Sequence, residues 1–283
     1  MSERLAFVLN LDAEHELEDG ARWTAPSTLS ARLTAIASEM RLPEGAIWLR
    51  PGMKVPEGYV ARLWCPTPRA LAVAASSGAP VGASPPIDVV RTVNERGFAF
   101  DLAAGELEPV LRSQSLEEIE AWLSTPSPTG RWRIKRGLGA SGRGQRVVAH
   151  GALEPATRGW LVRATRRHPV VIEPDLPIER ELAVYGWARA SGVILTGLRG
   201  QTTDARGAFV RCGRIAHDDL DGDARPFLTT AERVGAALVA AGYEGPFGTD
   251  GYLYRTPSGA LRARTLSEIN ARYCMGWDER DGF

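Results

Sequence analysis

Two kinds of stretch, distinguished by their pattern of apolar and polar positions, take turns along about the first ninety residues. Short apolar runs predict strands, and alanine-rich stretches with apolar positions three or four apart predict helices. The predicted strands cover residues 5–10, 46–49, 59–64 and 88–93, and the predicted helices cover residues 27–40 and 69–76. Strands that alternate with helices are typical of a parallel sheet covered by helices. The chain is therefore predicted to begin with a small parallel α/β domain.

Hairpins dominate the pattern that follows. Residues 131–136 (RWRIKR) alternate in polarity, residues 137–144 (GLGASGRG) are rich in glycine, and residues 145–149 (QRVVA) are again typical of a strand. Further strands are predicted at 170–173, 180–188, 193–198, 208–215, 249–254 and 261–270, with a polar loop at 199–207. Helices are predicted at 154–167 and from the capping boxes Ser115-x-x-Glu118 and Thr229-x-x-Glu232.

The last predicted hairpin carries three side chains with oxygen ligands. Glu268 and Asn270 alternate along its second strand and share one face, and Asp250 lies on its first strand. A two-residue turn at 257–258 would put Asp250 on the opposite face, whereas a three-residue loop at 257–259 would put all three on one face. Carboxylate and amide oxygens suit Mg²⁺. The sequence predicts a Mg²⁺ site here, provided that the hairpin has an odd loop or a bulge.

The glycine-rich stretch matches the pattern G-x-G-x-x-G at Gly137, Gly139 and Gly142. In a Rossmann fold that loop opens a helix, but a strand is predicted to follow it here, so a Rossmann site is rejected. A glycine loop inside a hairpin can instead cover nucleotide phosphates with backbone N–H groups. Lys135 lies just before the loop and is one of only two lysines in the chain, which favours a phosphate contact. A surface hairpin with a solvated lysine is the alternative.

The stretch VVIEPDLPIERE, residues 170–181, is the third candidate. An apolar strand that ends at Glu173 and turns through Pro174 resembles a linker that holds adenine by backbone hydrogen bonds. Glu181 begins the next strand, where it could accept hydrogen bonds from ribose hydroxyls. Solvent-facing glutamates at strand ends are the alternative for both carboxylates.

Four motifs together resemble the ATP-grasp superfamily of carboxylate–amine ligases. They are Lys135 with GLGASGRG, then VIEPDLPIERE, then GPFGTD at 245–250, then SEINAR at 267–272. Their order and spacing match that superfamily over roughly residues 90–275. The resemblance implies an α/β and α+β chain, in which an ATP-grasp fold follows an N-terminal parallel α/β (pre-ATP-grasp-like) domain. The expected domains are 1–95, a central lobe with the phosphate loop at 96–178, and a C-terminal lobe with the metal site at 179–283.

The resemblance also implies a nucleotide site for ATP. Lys135 would contact the α- and β-phosphates, and Arg96 would be a second phosphate cation. The residues implied in phosphate covering are Gly139, Ser141 and Gly142, and those implied around adenine and ribose are Glu173, Pro174, Asp175, Leu176 and Glu181.

The same resemblance implies a reaction centre. Asp250, Glu268 and Asn270 would hold two Mg²⁺ ions, and Arg272 would lie near the transferred phosphoryl group or the substrate carboxylate. The predicted activity is an ATP- and Mg²⁺-dependent ligase that joins a carboxylate to an amine, for example an amino acid or peptide, through an acyl phosphate. Two alternatives stay open: a phosphotransferase with the same fold, and a nucleotide-binding module without turnover.

Composition narrows the function classes. Acidic and basic residues balance at 34 each, so no overall field favours nucleic acid or an anionic membrane as a partner. Three scattered cysteines without CxxC spacing argue against a disulfide framework or a zinc site. The N-terminus lacks the apolar run of a signal peptide, and a cytoplasmic protein is expected. The sequence leaves open whether the chain forms a homo-oligomer.

Overall fold

The computed structural model describes residues 4–20, 23–40, 42–139, 144–151, 153–203, 209–215 and 224–277. None of the helices in these ranges has the length and apolar character needed to cross a membrane. Three sheets organise the described residues, and they follow one another in the order of the three predicted segments. The domain boundaries after residues 95 and 178 stay a prediction.

The first sheet is parallel, as the sequence predicted. Its strands are β1 (Arg4–Val8), β2 (Ile47–Trp48) and β3 (Tyr59–Leu63), in the order β2-β1-β3. Its segment also contains the helices α1 (Ala13–Asp19), α2 (Ser27–Glu39) and α3 (Pro68–Ser77). Apolar side chains of β1 and β3 pack with small side chains of α3, such as Ala70 and Ala74. Helix α1 lies outside every predicted helix.

The second sheet is antiparallel, in the order β4-β7-β5-β6. Its strands are β4 (Leu111–Ser113), β5 (Arg131–Lys135), β6 (Gln145–Ala149) and β7 (Val170–Pro174). The helices α6 (Leu116–Leu123) and α7 (Pro155–Ala164) share its core, where Ile119 and Leu161 meet Trp132 and Ile134. Half of the predicted capping box is present: the Ser115 hydroxyl accepts from the Glu118 N–H at 3.3 Å, but the Glu118 side chain accepts from the Ser113 hydroxyl at 2.5 Å and not from the Ser115 N–H.

The third sheet has five antiparallel strands in the order β10-β9-β8-β11-β12. They are β8 (Ile178–Arg189), β9 (Gly192–Thr203), β10 (Phe209–Arg214), β11 (Gly245–Arg255) and β12 (Leu261–Asn270). Its core also includes side chains from α4 (Ile87–Asn94), α5 (Arg96–Leu102) and α8 (Arg225–Ala240).

Three local predictions are wrong. Residues 88–93 form helix α4 instead of a strand, because Val90 and Val93 are buried with Leu266 of β12 while Asp88 pairs with Arg91 on the exposed side. The helix predicted to begin at Thr229 begins at Arg225. Residues 199–203, predicted as part of a polar loop at 199–207, belong to β9, and the rest of that predicted loop lies outside the described residues.

The β11–β12 hairpin meets the condition that the sequence set for a shared face. The Thr256 N–H donates to the Ala260 carbonyl at 2.9 Å, which closes a three-residue loop at 257–259, and Gly259 in this loop adopts a φ of 85°. A bulge follows, because the register shifts between the pairs Tyr252–Arg264 and Asp250–Glu268. Asp250 and Glu268 are direct cross-strand partners. Their side chains therefore lie on the same face of the sheet.

Candidate active site

A cleft of about 1360 Å³ lies between the second and third sheets. Both sheets line it, with Lys135 and Glu173 on one side and Asp250, Glu268 and Arg272 on the other. Pro174, Leu176, Glu181 and Asn270 are also lining residues. Most of the predicted site residues, far apart in sequence, therefore share one cavity.

Lys135 is part of a buried ion cluster that joins the two sheets. Its Nζ lies 2.6 Å from Glu173 Oε1, and the other oxygen of Glu173 accepts from Arg264 Nη1 at 2.6 Å. Lys135 Nζ also donates to the Ser267 hydroxyl at 3.2 Å. Burial lowers the pKa of Lys135 to about 8, although the negative charge of Glu173 acts in the opposite direction. Burial alone would raise the pKa of Glu173, but Arg264 and Lys135 outweigh it and lower that pKa to about 2.

The segment after Glu173 has few backbone donors to offer. Pro174 has no N–H, and the Asp175 N–H donates to the Arg131 carbonyl at 3.0 Å. The Asp175 side chain pairs with Arg131 and Arg133, so it is engaged with β5. Leu176 is the first residue of this segment whose N–H makes no hydrogen bond within the described part of the chain. The Leu176 N–H is therefore the first backbone donor after Glu173 that could make the predicted contact with adenine.

The rest of the predicted nucleotide site is distributed around this segment. Glu181 is half-buried on β8, opposite Tyr252 of β11. Gly139 is half-buried but is not one of the residues that line the cleft. Ser141 and Gly142 lie outside the described residues, so their predicted phosphate contacts stay predictions.

Asp250, Glu268 and Asn270 form a second polar cluster. Asp250 accepts hydrogen bonds from the side-chain amides of Gln201 at 2.6 Å and Asn270 at 2.9 Å. Burial, followed by repulsion from Glu268, raises the pKa of Asp250 to about 7, although the two hydrogen bonds oppose that rise. Asp250 therefore has two amide partners but no ion pair within the described part of the chain.

Two arginines border this cluster. Arg96 is buried and donates to Glu268 Oε2 at 3.0 Å, while its Nε makes no hydrogen bond within the described chain. Arg272 Nη2 donates to Asn270 Oδ1 at 2.9 Å, and its Nε donates to Glu14 Oε1 at 2.5 Å. Burial by itself would lower the pKa of Arg272, but the negative charge of Glu14 outweighs burial and raises that pKa above its ordinary value. Arg272 is thus a permanent cation that Glu14 of α1 holds beside the cluster.

The donor set fits Mg²⁺. Where the chain is described, no three His, Cys, Asp or Glu side chains come together as a metal site. A site here would combine two carboxylates with the amide oxygen of Asn270, which has a second lone pair beyond the one used by Arg272. A cation placed between Asp250 and Glu268 would also relieve the repulsion that raises the pKa of Asp250.

Sequence reasoning missed Arg264, Glu14 and Gln201. Arg264 has the same strand parity as Glu268, so an inward-facing cation in the last hairpin was a usable signal. Glu14 lies in a helix that was not predicted, and Gln201 lies in residues predicted as a loop. Glu14 contacts Arg272 and Gln201 contacts Asp250 over long sequence separations, so no local sequence pattern predicts these contacts.

Comparisons with known proteins agree on the fold. No protein-family model matches the sequence, and no curated protein matches it. The chain is similar to a solved structure of D-alanyl-alanine synthetase A from Vibrio cholerae O1 biovar eltor str. N16961, with a TM-score of 0.56 and 12% identity over 100% of this chain and 95% of that chain. It is also similar to D-cycloserine synthetase DcsG, with a TM-score of 0.53 and 16% identity over 96% of this chain and 92% of that chain.

A third similarity covers less of the other protein. The chain is similar to the purK N5-carboxyaminoimidazole ribonucleotide synthetase solved with ADP, with 17% identity and a TM-score of 0.49. The match covers 76% of this chain and 54% of that chain, so this chain spans about half the length of that protein. The two structures with TM-scores above 0.5 have the ATP-grasp fold, so the predicted fold is confirmed. Identities at this level show the fold alone.

Proposed function

We propose that this ATP-grasp chain is an ATP- and Mg²⁺-dependent ligase that joins a small-molecule carboxylate to an amine through an acyl phosphate. One observation carries the proposal. A single cleft brings the buried cation Lys135 together with the carboxylates Asp250 and Glu268 and with Arg272. Two proteins of similar fold, D-alanyl-alanine synthetase A and D-cycloserine synthetase, are named as synthetases, which supports a ligase.

The adenosine part of ATP would bind where the cleft has exposed apolar side chains. Val147 is 38% exposed and Ile178 is 41% exposed, and both line the cleft. Exposed apolar side chains inside a cleft suit a flat base. The Leu176 N–H would donate to adenine, and Glu181 would accept from the ribose hydroxyls. Lys135 would then face the phosphates, with Arg96 close by.

The phosphate end would bind with Mg²⁺ held by Asp250, Glu268 and Asn270. When bound, Mg²⁺ neutralises charge on the phosphate oxygens and helps to align the transferred group. The side chains themselves supply position and charge. Arg272, fixed by Glu14, would orient the substrate carboxylate or the transferred phosphoryl group.

The proposed reaction has two steps. A carboxylate oxygen of the substrate bonds to the γ-phosphorus, the bond from that phosphorus to the β,γ-bridging oxygen breaks, and ADP leaves. The amine nitrogen then attacks the acyl carbon, the bond from that carbon to the phosphate oxygen breaks, phosphate leaves, and the nitrogen loses a proton. Both steps depend on positioning and charge neutralisation. Lys135 and Arg272, which both line the cleft, would stabilise the negative charge.

Product analysis tests this proposal. The chain is incubated with ATP, Mg²⁺ and a panel of carboxylates and amines, alone and in pairs, while ADP, phosphate and coupled product are measured. A ligase releases ADP and phosphate only when both substrates are present. A phosphorylated hydroxyl product would replace ligation with phosphotransfer, and tight ATP binding without turnover across the panel would support a binding module instead.

A further inference from the structure

The bulge in β12 decides which residue faces Asp250. Between the pairs Tyr252–Arg264 and Asp250–Glu268, β12 has three residues (265–267) where β11 has only Gly251. If the register of Tyr252–Arg264 continued unbroken, Glu268 would lie opposite Gly248. That position is two residues from Asp250, or roughly 7 Å along the strand. The bulge therefore brings the two carboxylates into register.

A residue distant in sequence satisfies the backbone of this bulge. Oε2 of Glu106 accepts hydrogen bonds from the N–H groups of Thr265 and Leu266, each at 3.0 Å. Its Oε1 accepts from the Thr265 hydroxyl at 2.9 Å. A bulge leaves N–H groups without strand partners, and hydrogen bonds to an ionised carboxylate are stronger than neutral ones. Glu106 thus supplies the hydrogen-bond acceptor that a neighbouring strand would otherwise provide for these two N–H groups.

Contacts from other residues also hold the bulge in place. Arg264 Nε donates to the Leu266 carbonyl at 3.1 Å, and the hydroxyls of Thr230 and Thr265 lie 2.7 Å apart. A Cβ on Gly251 would lie only 2.7 Å from the Arg264 carbonyl oxygen and 2.8 Å from that of Thr265. Only glycine leaves the room that the bulge needs at this position of β11.

We infer that Glu106 is a positioning residue for the metal ligands, because it holds the bulge that aligns Glu268 with Asp250. Glu106 is not one of the residues that line the cleft, so it acts through β12 and not on substrate. The bulge also contains Ser267, the partner of Lys135, so the same carboxylate steadies the phosphate side of the cleft. This inference rests on the proposed function, since it assigns a purpose to the alignment of the proposed metal ligands.

Two substitutions separate the hydrogen bonds of Glu106 from its charge. Glu106→Ala removes the acceptor for both N–H groups. Glu106→Gln keeps an acceptor oxygen for them but loses the charge, including the contact of Glu106 with Arg233 Nη2 at 3.4 Å. Arg233→Gln is the control for that contact, because it leaves the carboxylate in place; it also removes the hydrogen bond from Arg233 Nη1 to the Leu102 carbonyl. Glu106→Asp keeps the charge on a side chain that is one methylene shorter.

The first readout is Mn²⁺ binding, followed by electron paramagnetic resonance in the presence of a nonhydrolysable ATP analogue. We expect Mn²⁺ affinity to fall about tenfold or more in Glu106→Ala, as when a supporting partner of a metal ligand is lost. It should stay within about twofold of wild type in Glu106→Gln and Arg233→Gln, and adenosine binding should not change in any variant. Wild-type Mn²⁺ affinity in Glu106→Ala would overturn the inference. If that variant does not fold, the same fall is expected in Glu106→Asp, and wild-type affinity there would overturn it.

The second readout is amide hydrogen exchange at Thr265 and Leu266 in the metal-free protein. We expect slow exchange in wild type and in Glu106→Gln, and fast exchange in Glu106→Ala. This readout does not depend on ATP chemistry, so it separates the two proposals. Failure of wild type to bind Mn²⁺ with the ATP analogue would sink the proposed function, whereas equal exchange rates in wild type and Glu106→Ala would sink the role of Glu106.

Discussion

Glu173 and Asp250 are carboxylates in the same cleft, and their surroundings differ. Glu173 lies between Lys135 and Arg264, at 2.6 Å from each, and its pKa falls to about 2. Asp250 faces Glu268 and two side-chain amides, and burial with the Glu268 charge raises its pKa to about 7. Glu173 makes two direct ion pairs, whereas Asp250 makes none within the described part of the chain.

The difference separates two tasks within one cleft. The cluster around Glu173 is complete without a ligand, and it joins β5 and β7 of one sheet to β12 of the other. In the cluster around Asp250, Arg96 pairs with Glu268, but Asp250 itself has only amide partners, so a bound cation would supply the opposite charge that Asp250 lacks. The comparison therefore predicts that changes at Glu173 act on stability and changes around Asp250 act on metal binding.

The largest expected effect is on catalysis. The double substitution of Glu268→Ala with Asn270→Ala removes two of the three proposed metal ligands, so turnover should fall by a factor on the order of 10² to 10³ or more. Adenosine binding should be nearly unchanged, because the proposed base site lies elsewhere in the cleft. Steady-state assays and calorimetry measure the two quantities. Unchanged turnover would contradict the metal assignment.

The next effect is on stability. Glu173→Gln leaves Lys135 and Arg264 buried without their anion, and breaking such a buried cluster costs about 3–5 kcal/mol of unfolding free energy. Urea denaturation measures this free energy. The matched control is Glu179→Gln, in an exposed pair with Arg255, which should barely change the midpoint. Equal midpoints for the two variants would remove the contrast between the clusters.

A smaller effect is expected on nucleotide affinity. Lys135→Met should weaken binding of a nonhydrolysable ATP analogue by about 10- to 100-fold, the range for losing a hydrogen bond to a charged group. Lys54→Met is the natural control, because Lys54 is the only other lysine and donates to the Ser76 carbonyl in another part of the molecule. If both variants bound the analogue equally well, Lys135 would not be a phosphate ligand.

The smallest effect is the pH dependence of the metal-free protein. Asp250 has a folded pKa of about 7, above its ordinary 3.8, so it stabilises the fold fully below pH 3.8 and loses that contribution as pH rises through about 7. Glu173 has the opposite sign: its contribution is present above its ordinary 4.5 and is lost as pH falls through about 2. Asp250→Asn should therefore gain stability relative to wild type between pH 3.8 and 7. Solvent screening keeps the gain modest because Asp250 is only half-buried.

Denaturation of both proteins across that pH range measures the difference. A constant difference in unfolding free energy from pH 3.8 to 7 would show that Asp250 titrates normally. It would also remove the electrostatic reason for a cation at this site.

The sequence predicted the parallel N-terminal sheet and the glycine hairpin, and it predicted a shared face in the last hairpin if that hairpin had an odd loop or a bulge, because each of these features depends on local periodicity and turn chemistry. It failed at residues 88–93, where β-branched side chains favour a strand but burial beside β12 gives a helix. It also failed to find Arg264 and Glu106. Strand parity could have shown that Arg264 faces inward, but its pairing with Glu173 and the contacts of Glu106 with the N–H groups of the bulge join residues far apart in sequence, so tertiary structure alone reveals those contacts.

The central claim is that Asp250 and its neighbours hold Mg²⁺ with the nucleotide. Carbon-13 NMR of the Asp250 carboxyl group, assigned by its absence in Asp250→Asn, tests it most directly. Without ligands the carboxyl should titrate near pH 7, and with Mg²⁺ and a nonhydrolysable ATP analogue its midpoint should move well below that value. A midpoint that stays the same when Mg²⁺ and the analogue are added would contradict the account.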